Sequence, residues 1–428
     1  MNCADKPIER LDGSLLSDCL VAAIRHLFTR RDYINRINVF PVPDGDTGTN
    51  MAFTFRSILE VLEARRYPPV GELVAAVSDA ALDGARGNSG AIMAQFFQGC
   101  REAVAGRAEL DAGLFARACR QGAVQAWTAM AEPVVGTLPS VLESFAGGVS
   151  RCVEGGSSDF RQLLREGLDA ARCALERTPE QLPVLKQAGV VDAGGQGFVD
   201  LLEGIQAWAF EGRMDPLENG LREADEPDGL DPSEFDPGRH RFCTECIVVG
   251  YGIERREVME RLLQLDHSSL VVAGSHERVR VHIHVNQPGE AFLACAEFGE
   301  ISHQKADDMR WQHGLLNQPG HVAVVTDSGA DLPASEAERL GIHVVPVRLS
   351  FGEREYLDRV TITPADFYKL LRESDVFPQT SQPPARDFRR VYELLAAHGY
   401  EVLSVGLSSS LSGTTQAAPQ ACDRRLRA

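Results

Sequence analysis

The chain has no run of about 18 apolar residues, the length that a membrane-spanning helix needs. Its opening, MNCADKPIERLDGS, lacks the apolar core of a secretory signal. No membrane span is expected, and the expected compartment is the cytoplasm. Basic residues are in short supply: Lys and Arg number 43 against 61 Asp and Glu, a net charge of −18. That balance disfavours nucleic acid as a partner, because phosphate backbones are held by clustered Lys and Arg. The one basic cluster is the tail, Arg424, Arg425 and Arg427. No G-x-x-x-x-G-K-[ST] phosphate loop occurs, so any nucleotide site is of another design. The ten cysteines run from Cys3 to Cys422 without a framework, which excludes a disulfide scaffold. Only Cys243 and Cys246 stand at a spacing that suggests chemistry. What is present is ordinary globular composition, 44% hydrophobic and 24% charged, in a chain of 428 residues. That length predicts roughly two to four domains.

The stretch NVFPVPDGDTGTNM, Asn38–Met51, carries the densest chemistry. Asp44 and Asp46 flank Gly45 and are followed by Thr47, Gly48, Thr49 and Asn50, where a helix should begin. Met51, Phe55, Ile58 and Leu62 give that helix one apolar face. A helix start offers free N–H groups and partial positive charge, so a polyphosphate can lie on it while carboxylates hold a hard cation. A loop of Asx-turns is the plain alternative. A calcium loop is excluded, since its fifth position would be Gly48 and its twelfth Phe55.

NVFPVPDGDTGTN resembles the nucleotide-binding module of bacterial dihydroxyacetone kinases of the DhaL type, and more closely its relative in the fatty acid kinases. In those families Asp and Asn residues of this loop hold two Mg²⁺ ions that bridge the phosphates of ATP. The resemblance places Asp44 and Asp46 at the metal positions and Asn38 at the third. One more residue separates Asn38 from Asp44 than in the dihydroxyacetone kinase pattern.

From Ser14 to about Gly212 the pattern is helical, with faces such as Leu16, Leu20, Ile24 and Leu27, then Leu73, Val77 and Ala81, then Ile92, Phe96 and Cys100. An all-α bundle is expected over 1–212. Two further turns repeat the first design: GARGNSG at Gly84–Gly90, with Asn88 and Ser89, and DAGGQG at Asp192–Gly197, with Asp192 and Gly194. Each puts glycines and a small polar residue at a helix start, and the resemblance implies nucleotide contacts from both. PVVGTL at Pro133–Leu138 resembles a further segment of the family, which adds Thr137. Val135 stands there in place of an acidic residue, so no polar contact is expected from it.

Residues 213–240 change character. DPLENGLREADEPDGLDPSEFDPG contains nine acids, one Arg and four prolines, the composition of a solvated linker. Residues 241–320 read as a small α+β unit, with strands at Cys246–Val249, Leu270–Ala273 and Val279–Val285 and a helix at Arg255–Leu265. His282 and His284 leave one face of their strand and, with Cys243, make a candidate Zn²⁺ set; two ordinary strand histidines are the alternative. FCTEC and VRVHIHVNQPGEAF resemble the middle domain of the fatty acid kinases, in which this Cys and these His bind zinc. Cys246 is a candidate fourth ligand, or with Cys243 a redox pair.

From His321 the pattern is α/β, with strands in VAVVTDS, IHVVPVRL and EVLSVGL and helices at Pro364–Leu371 and Arg386–Ala397. TDSGADLP, TSQPP and LSSSLSGT resemble the DegV family of fatty-acid-binding proteins. That resemblance makes Thr380, Ser381, Ser409, Ser410 and Ser412 candidate donors to a lipid carboxylate. DegV proteins continue beyond the equivalent of Gly413, so 321–428 is expected to be a partial domain with an open lipid tunnel.

The function these resemblances imply is ATP- and Mg²⁺-dependent phosphorylation of a fatty acid carboxylate, with the fatty acid or a fatty-acid-loaded DegV-type protein as partner and a homodimer as the assembly. A dihydroxyacetone-type kinase is the rival enzyme. A nucleotide-responsive lipid-binding regulator without turnover is the rival from another class.

Overall fold

Apolar residues spaced three and four apart drive the first half of the chain into helices, and each apolar face turns inward. Met51, Phe55, Ile58 and Leu62 are all buried, as are Leu73, Val77 and Ala81. In the computed structural model, residues 7–216, 239–316, 322–352, 354–397, 399–410 and 412–421 are described. Most of the expected linker and the basic tail lie outside them. The chain divides into two compact units, Met1–Asn286 with Ala294–Met309, and Gln287–Leu293 with Arg310–Ala428.

In the first unit β1 (Leu11–Asp12) leads into α1 (Gly13–Arg36), α2 (Thr47–Ala64), α3 (Val70–Gly84) and α4 (Gly87–Val104). After β2 (Glu109–Leu110) come α5 (Ala112–Thr128), α6 (Leu138–Glu154), α7 (Phe160–Glu176), the short α8 (Thr178–Gln181) and α9 (Pro183–Ala188), and α10 (Ala193–Glu211). Helices α1 to α7 each pack on the next, α7 packs on α10, and α10 returns to α1, so eight helices close into a ring. Short connections make neighbours antiparallel. Consequently α2, α4, α6 and α10 all start at one end.

Three of the four helix starts at each end contrast in their capping, α3 (Pro69, uncapped) and α10 (Asp192, capped) being the exceptions. α1, α5 and α7 begin with Asp12, Asp111 and Asp159, whose carboxylates accept from the N–H groups of Leu15, Leu114 and Arg161. α2, α4 and α6 begin at Asp46, Arg86 and Thr137, none of which caps its helix through its side chain.

The sheet of this unit comprises β3 (Phe242–Val249), β4 (His267–Gly274), β5 (Arg278–Val285) and β6 (Glu300–Asp308), in the antiparallel order β4-β5-β3-β6, with α11 (Arg255–Leu262) between β3 and β4. It is part of the helical unit. Residues after α5 pair with the edge of β4, Val272 N–H donating to Ala129 O at 2.8 Å and Ala131 N–H to Leu270 O at 3.0 Å. Gly274 N–H donates to Gln95 Oε1 of α4 at 2.7 Å, and Val271 and Ala273 join the helical core. The strand β6 was not expected, because EISHQKADD is polar and shows no apolar alternation. α12 (Pro288–Ala296) precedes it, and α13 (Met309–Leu316) follows.

In the second unit β7 (Val322–Asp327), α14 (Ala334–Arg339), β8 (Ile342–Val345), β9 (Arg348–Phe351), β10 (Arg354–Leu357), α15 (Pro364–Glu373), β11 (Gln379–Ser381), α16 (Ala385–Ala397), β12 (Glu401–Ser404) and α17 (Thr414–Ala421) follow in order. A parallel sheet β12-β7-β8 and an antiparallel sheet β10-β9-β11 result. Ala323, Val325 and Val345 of the parallel sheet pack with Phe388, Val391 and Leu395 of α16. Among the described residues no helix is long and apolar enough to cross a membrane.

Candidate active site

A cavity of about 330 Å³ opens where α2, α4, α6 and α10 begin. Four aligned helix starts put partial positive charge on one space, and three of them lack a cap from their own N-cap side chain. Asn38, Asp44, Asp46, Thr47, Asn50, Asn88, Ser89, Thr137, Asp192 and Gly194 line it. Three sequence turns far apart in the chain thus meet on one wall.

The acid pair has few protein partners. Asn38 Nδ2 donates to Asp44 Oδ1 at 2.8 Å and to Val42 O at 3.0 Å, while its Oδ1 accepts from Thr47 Oγ1. Burial pushes the Asp44 carboxyl well above the usual carboxylate range, and the neighbouring Asp46 charge pushes it further. Burial also raises Asp46, against which the positive charge of Lys305 on β6 pulls it down. The two carboxyls, Asp44 buried and Asp46 half-buried, share a hydrogen bond at a place where a cation would relieve the raised pKa of both. The amide oxygen of Asn88 is buried without a hydrogen-bond partner.

Two expected residues face elsewhere. Gly48 and Thr49 do not line the cavity: Thr49 N–H donates to Asn35 Oδ1 at 3.0 Å, Asn35 Nδ2 donates to Thr49 Oγ1 at 2.9 Å, and Gly48 lies against the Arg31 carbonyl of α1. The first turn of α2 has two sides, and these residues occupy the side that packs on α1. Asp192 is committed to capping. Its Oδ2 accepts from Gly195 N–H at 2.7 Å and its carboxylate also meets the N–H of Leu138, so one side chain spans the starts of α10 and α6. Burial lifts this carboxyl to about 6 despite those two bonds.

Cys243, His282 and His284 line the same cavity. Register explains why: Cys243 pairs with His284 and Glu245 with His282 across β3 and β5, so alternation sends all four side chains to one face. Ligand atoms of Cys243, His282 and His284 lie within 4.8 Å of one another, all buried. His282 Nδ1 stands 3.0 Å from Glu245 Oε1 and its Nε2 3.1 Å from His284 Nε2. Donors of a tetrahedral zinc are separated by roughly 3.3 Å, so this set fits zinc. His284 Nδ1 is buried without a partner, and burial holds that imidazole neutral, well below its ordinary pKa, as does His282 beside it. Cys246 cannot complete the set. Three residues from Cys243, it leaves the opposite face of β3 and meets the thiol of Cys295, which also separates the supposed redox pair.

Glu245 was missed. It is buried, and accepts from Gly87 N–H at the start of α4 at 2.7 Å and from Arg280 at 2.6 Å, with Lys305 Nζ at 3.7 Å. Burial would raise its pKa, but Lys305, Arg280 and His282 outweigh it and hold the carboxyl well below its ordinary value. The available signal was position, two residues from Cys243 on the same strand face.

In the second unit Thr380 and Ser381 lie on exposed β11 opposite Leu349 and Arg348. Ser409 and Ser410 are exposed, and Ser412 Oγ is 2.9 Å from Thr414 Oγ1. Gly413 lies against the Gln382 side chain, so the TSQPP and LSSSLSGT segments meet.

Three family models match the chain: the DAK2 domain over residues 41–207, the FakA-like middle domain of fatty acid kinases over 239–315, and the uncharacterised DegV protein family over 321–425. An uncharacterized protein of Staphylococcus epidermidis is 32% identical over 396 residues, covering 90% of this chain and 68% of that protein. One of Staphylococcus saprophyticus is 30% identical over 356 residues, covering 81% and 63%, and one of Staphylococcus haemolyticus is 33% identical over 315 residues, covering 72% and 56%. The chain thus spans 56 to 68% of the length of these relatives. Among solved structures, a fatty-acid-binding DegV family protein from Thermus thermophilus is 42% identical over 24% of this chain and 36% of its own, with a TM-score of 0.23. The dihydroxyacetone kinase from C. freundii in complex with AMP-PNP and Mg²⁺ is 18% identical over 48% of this chain and 36% of its own, with a TM-score of 0.37.

Proposed function

This chain belongs to the family that joins a DAK2 domain, a FakA-like fatty acid kinase middle domain and a DegV domain, and we propose that it is an ATP- and Mg²⁺-dependent kinase forming an acyl phosphate from a fatty acid carboxylate. The observation that carries this reading is the cavity on which four helix starts converge beside the carboxylate pair Asp44 and Asp46. Phosphoryl transfer asks for positioning and charge compensation more than for covalent help.

Asp44 and Asp46, with the Asn38 amide oxygen, are the residues that would hold Mg²⁺. Such ions would supply positive charge that offsets the negative charge of the transferred group. The starts of α2, α4 and α6 would receive phosphate oxygens through backbone N–H groups, helped by Thr47, Asn50, Ser89, Thr137 and the Asn88 amide. Asp192 keeps α6 and α10 in register beneath them. A fatty carboxylate, with a pKa near that of free Glu (~4.3), is already ionised at neutral pH and needs no general base. That suits a cavity whose neighbouring Glu245 is fully engaged in ion pairs. A dihydroxyacetone-type substrate would need a base to take its hydroxyl proton. Cys243, His282 and His284 would hold zinc in a structural role, with Glu245 orienting His282 through Nδ1. The DegV domain would present the acyl carboxylate through Thr380, Ser381, Ser409, Ser410 and Ser412.

The test is ATP consumption by the purified chain with Mg²⁺, comparing oleate, dihydroxyacetone and no acceptor, each with and without an added two-lobed DegV-type protein. Oleate-dependent turnover is expected. Turnover with dihydroxyacetone alone would replace this reading with the rival kinase, and none under any condition would leave binding without transfer.

A further inference from the structure

The ring of helices is closed by one seam, between α1 and α10, and that seam carries a second cluster of ligand-type side chains. His26 of α1 and Asp200 and Glu203 of α10 offer ligand atoms within 4.8 Å of one another. None of them lines the cavity described above. Asp200 and Glu203, three apart, share the helix face turned to α1. The helices come close because Gly204 has no side chain there: a Cβ on it would stand 2.7 Å from His26 Cβ.

Each of the three side chains is fixed on one side and open on the other. Asp200 is fully buried; its Oδ1 accepts from Gln196 Nε2 at 2.9 Å and faces Arg30 Nε at 3.5 Å, while its Oδ2 is buried without a hydrogen-bond partner. Glu203 gives Oε1 to Arg172 at 2.7 Å and turns Oε2 toward His26. His26 Nδ1 is 2.7 Å from Asp215 Oδ2, so one ring nitrogen is held by a carboxylate while Nε2 is turned toward Glu203. That Nε2 lies 4.0 Å from Glu203 Oε2, too far for a hydrogen bond and close enough for both atoms to reach a shared ion. A carboxylate behind the distal ring nitrogen is the arrangement that orients metal-binding histidines.

We propose that His26, Asp200 and Glu203 form a binding site for a divalent transition-metal ion of the zinc type, clasping the first helix of the ring to the last. An imidazole with two carboxylates favours such an ion over Mg²⁺ or Ca²⁺, which take oxygen ligands. The clasp bears on the cavity from outside. α1 ends two residues before Asn38, and α10 begins directly after Asp192.

The experiment counts metal and needs no turnover, so it is independent of the kinase reading. Chelator-stripped full-length protein is titrated with Zn²⁺ against an indicator of known affinity, in the wild type, His26→Gln and Glu203→Gln, and again in a Cys243→Ser/His284→Ala background; circular dichroism checks that each variant is folded. The wild type should bind one more zinc than His26→Gln. The Cys243→Ser/His284→Ala variant should keep a zinc that disappears when His26→Gln is added. Glu203→Gln, at a partly exposed position, should weaken that same zinc by at least about tenfold. Equal zinc in the wild type and both seam variants would overturn the proposal, and so would a seam zinc displaced by millimolar Mg²⁺.

Discussion

Asp44 and Glu245 are buried carboxylates of the same unit, one on the cavity wall and one directly behind it, and the protein treats them in opposite ways. Glu245 is surrounded by donors: Gly87 N–H, Arg280, His282 and Lys305 hold it ionised, its pKa driven well down in spite of burial. Asp44 has one side-chain amide, one backbone N–H and a second carboxylate but no cation among the causes of its shift, and its pKa is driven well up. A carboxylate whose charge is balanced within the fold serves the fold. One whose charge is left unbalanced at a cavity marks the place where something from outside supplies the cation.

The largest expected effect comes from breaking the balanced site. Glu245→Gln leaves Arg280 and Lys305 as buried positive charges and weakens the bond that receives Gly87 N–H. Losing one member of such a buried network costs about 3–5 kcal/mol. The melting temperature of the helical unit should fall sharply with or without Mg²⁺. A variant as stable as the wild type would mean that Glu245 is not the charge hub between sheet and helices.

At the unbalanced site the expectation reverses. Asp44→Asn or Asp46→Asn should lower ATP consumption by at least about 10²-fold, as loss of a key electrostatic partner does, while the metal-free protein is as stable as the wild type at neutral pH or more so. The sign follows from the raised pKa: the fold penalises the charged form, and the amide removes that penalty. Full activity in either variant would remove the metal assignment. Full activity together with lost stability would move Asp44 into the structural class of Glu245.

The same contrast shows what the sequence could reveal. Helices and their inward faces followed from spacing, because Met51, Phe55, Ile58 and Leu62 need only local geometry. The glycine turns were legible as helix starts, but their convergence came from ring closure, a property of packing between α7, α10 and α1 that no local pattern carries. β6 escaped because its buried members, Gln304 and Lys305, are polar; Lys305 answers the charge of Glu245 on the neighbouring strand instead of forming part of an apolar face. Gly48 and Thr49 were placed with their neighbours because a motif read along the chain does not say which side of a helix turn faces the ligand. For Cys246 the strand period of two already held the answer: Cys243 and Cys246 leave opposite faces, and Glu245 is the residue that stays with Cys243.

The cysteine–histidine cluster tests the middle of the comparison, because burial keeps the Cys243 thiol and the His284 imidazole uncharged beside the ionised Glu245. Protein purified without added zinc should carry about one zinc that is lost in Cys243→Ser/His284→Ala, and the loss should lower stability less than Glu245→Gln does. Metal analysis with thermal melts checks both statements. Retention of all zinc in the double variant would return those histidines to an ordinary buried pair.

The smallest expected effect belongs to Asp192, which stands between the two extremes: it is capped onto two helix starts, like a balanced residue, yet its pKa is lifted to about 6. Two N–H donors lower it, and burial without a full counter-charge raises it more. In the unfolded chain this group titrates near 3.9. Between about pH 4 and pH 6 the folded state therefore binds more protons than the unfolded state, and stability falls as pH rises through that window. Asp192→Asn removes the titration but keeps an oxygen to accept from Gly195 N–H. Its stability relative to the wild type should therefore improve from pH 4 to pH 6 and then level off. A net gain on the order of 1 kcal/mol at neutral pH is expected once the amide's weaker capping is set against the relieved charge. Thermal melts of nucleotide-free wild type and variant from pH 4 to pH 8 measure that difference directly. A difference that does not change across the window would show that Asp192 is as well balanced as Glu245. A variant that grows less stable as pH rises would show that its charge is needed by the two helix starts it caps.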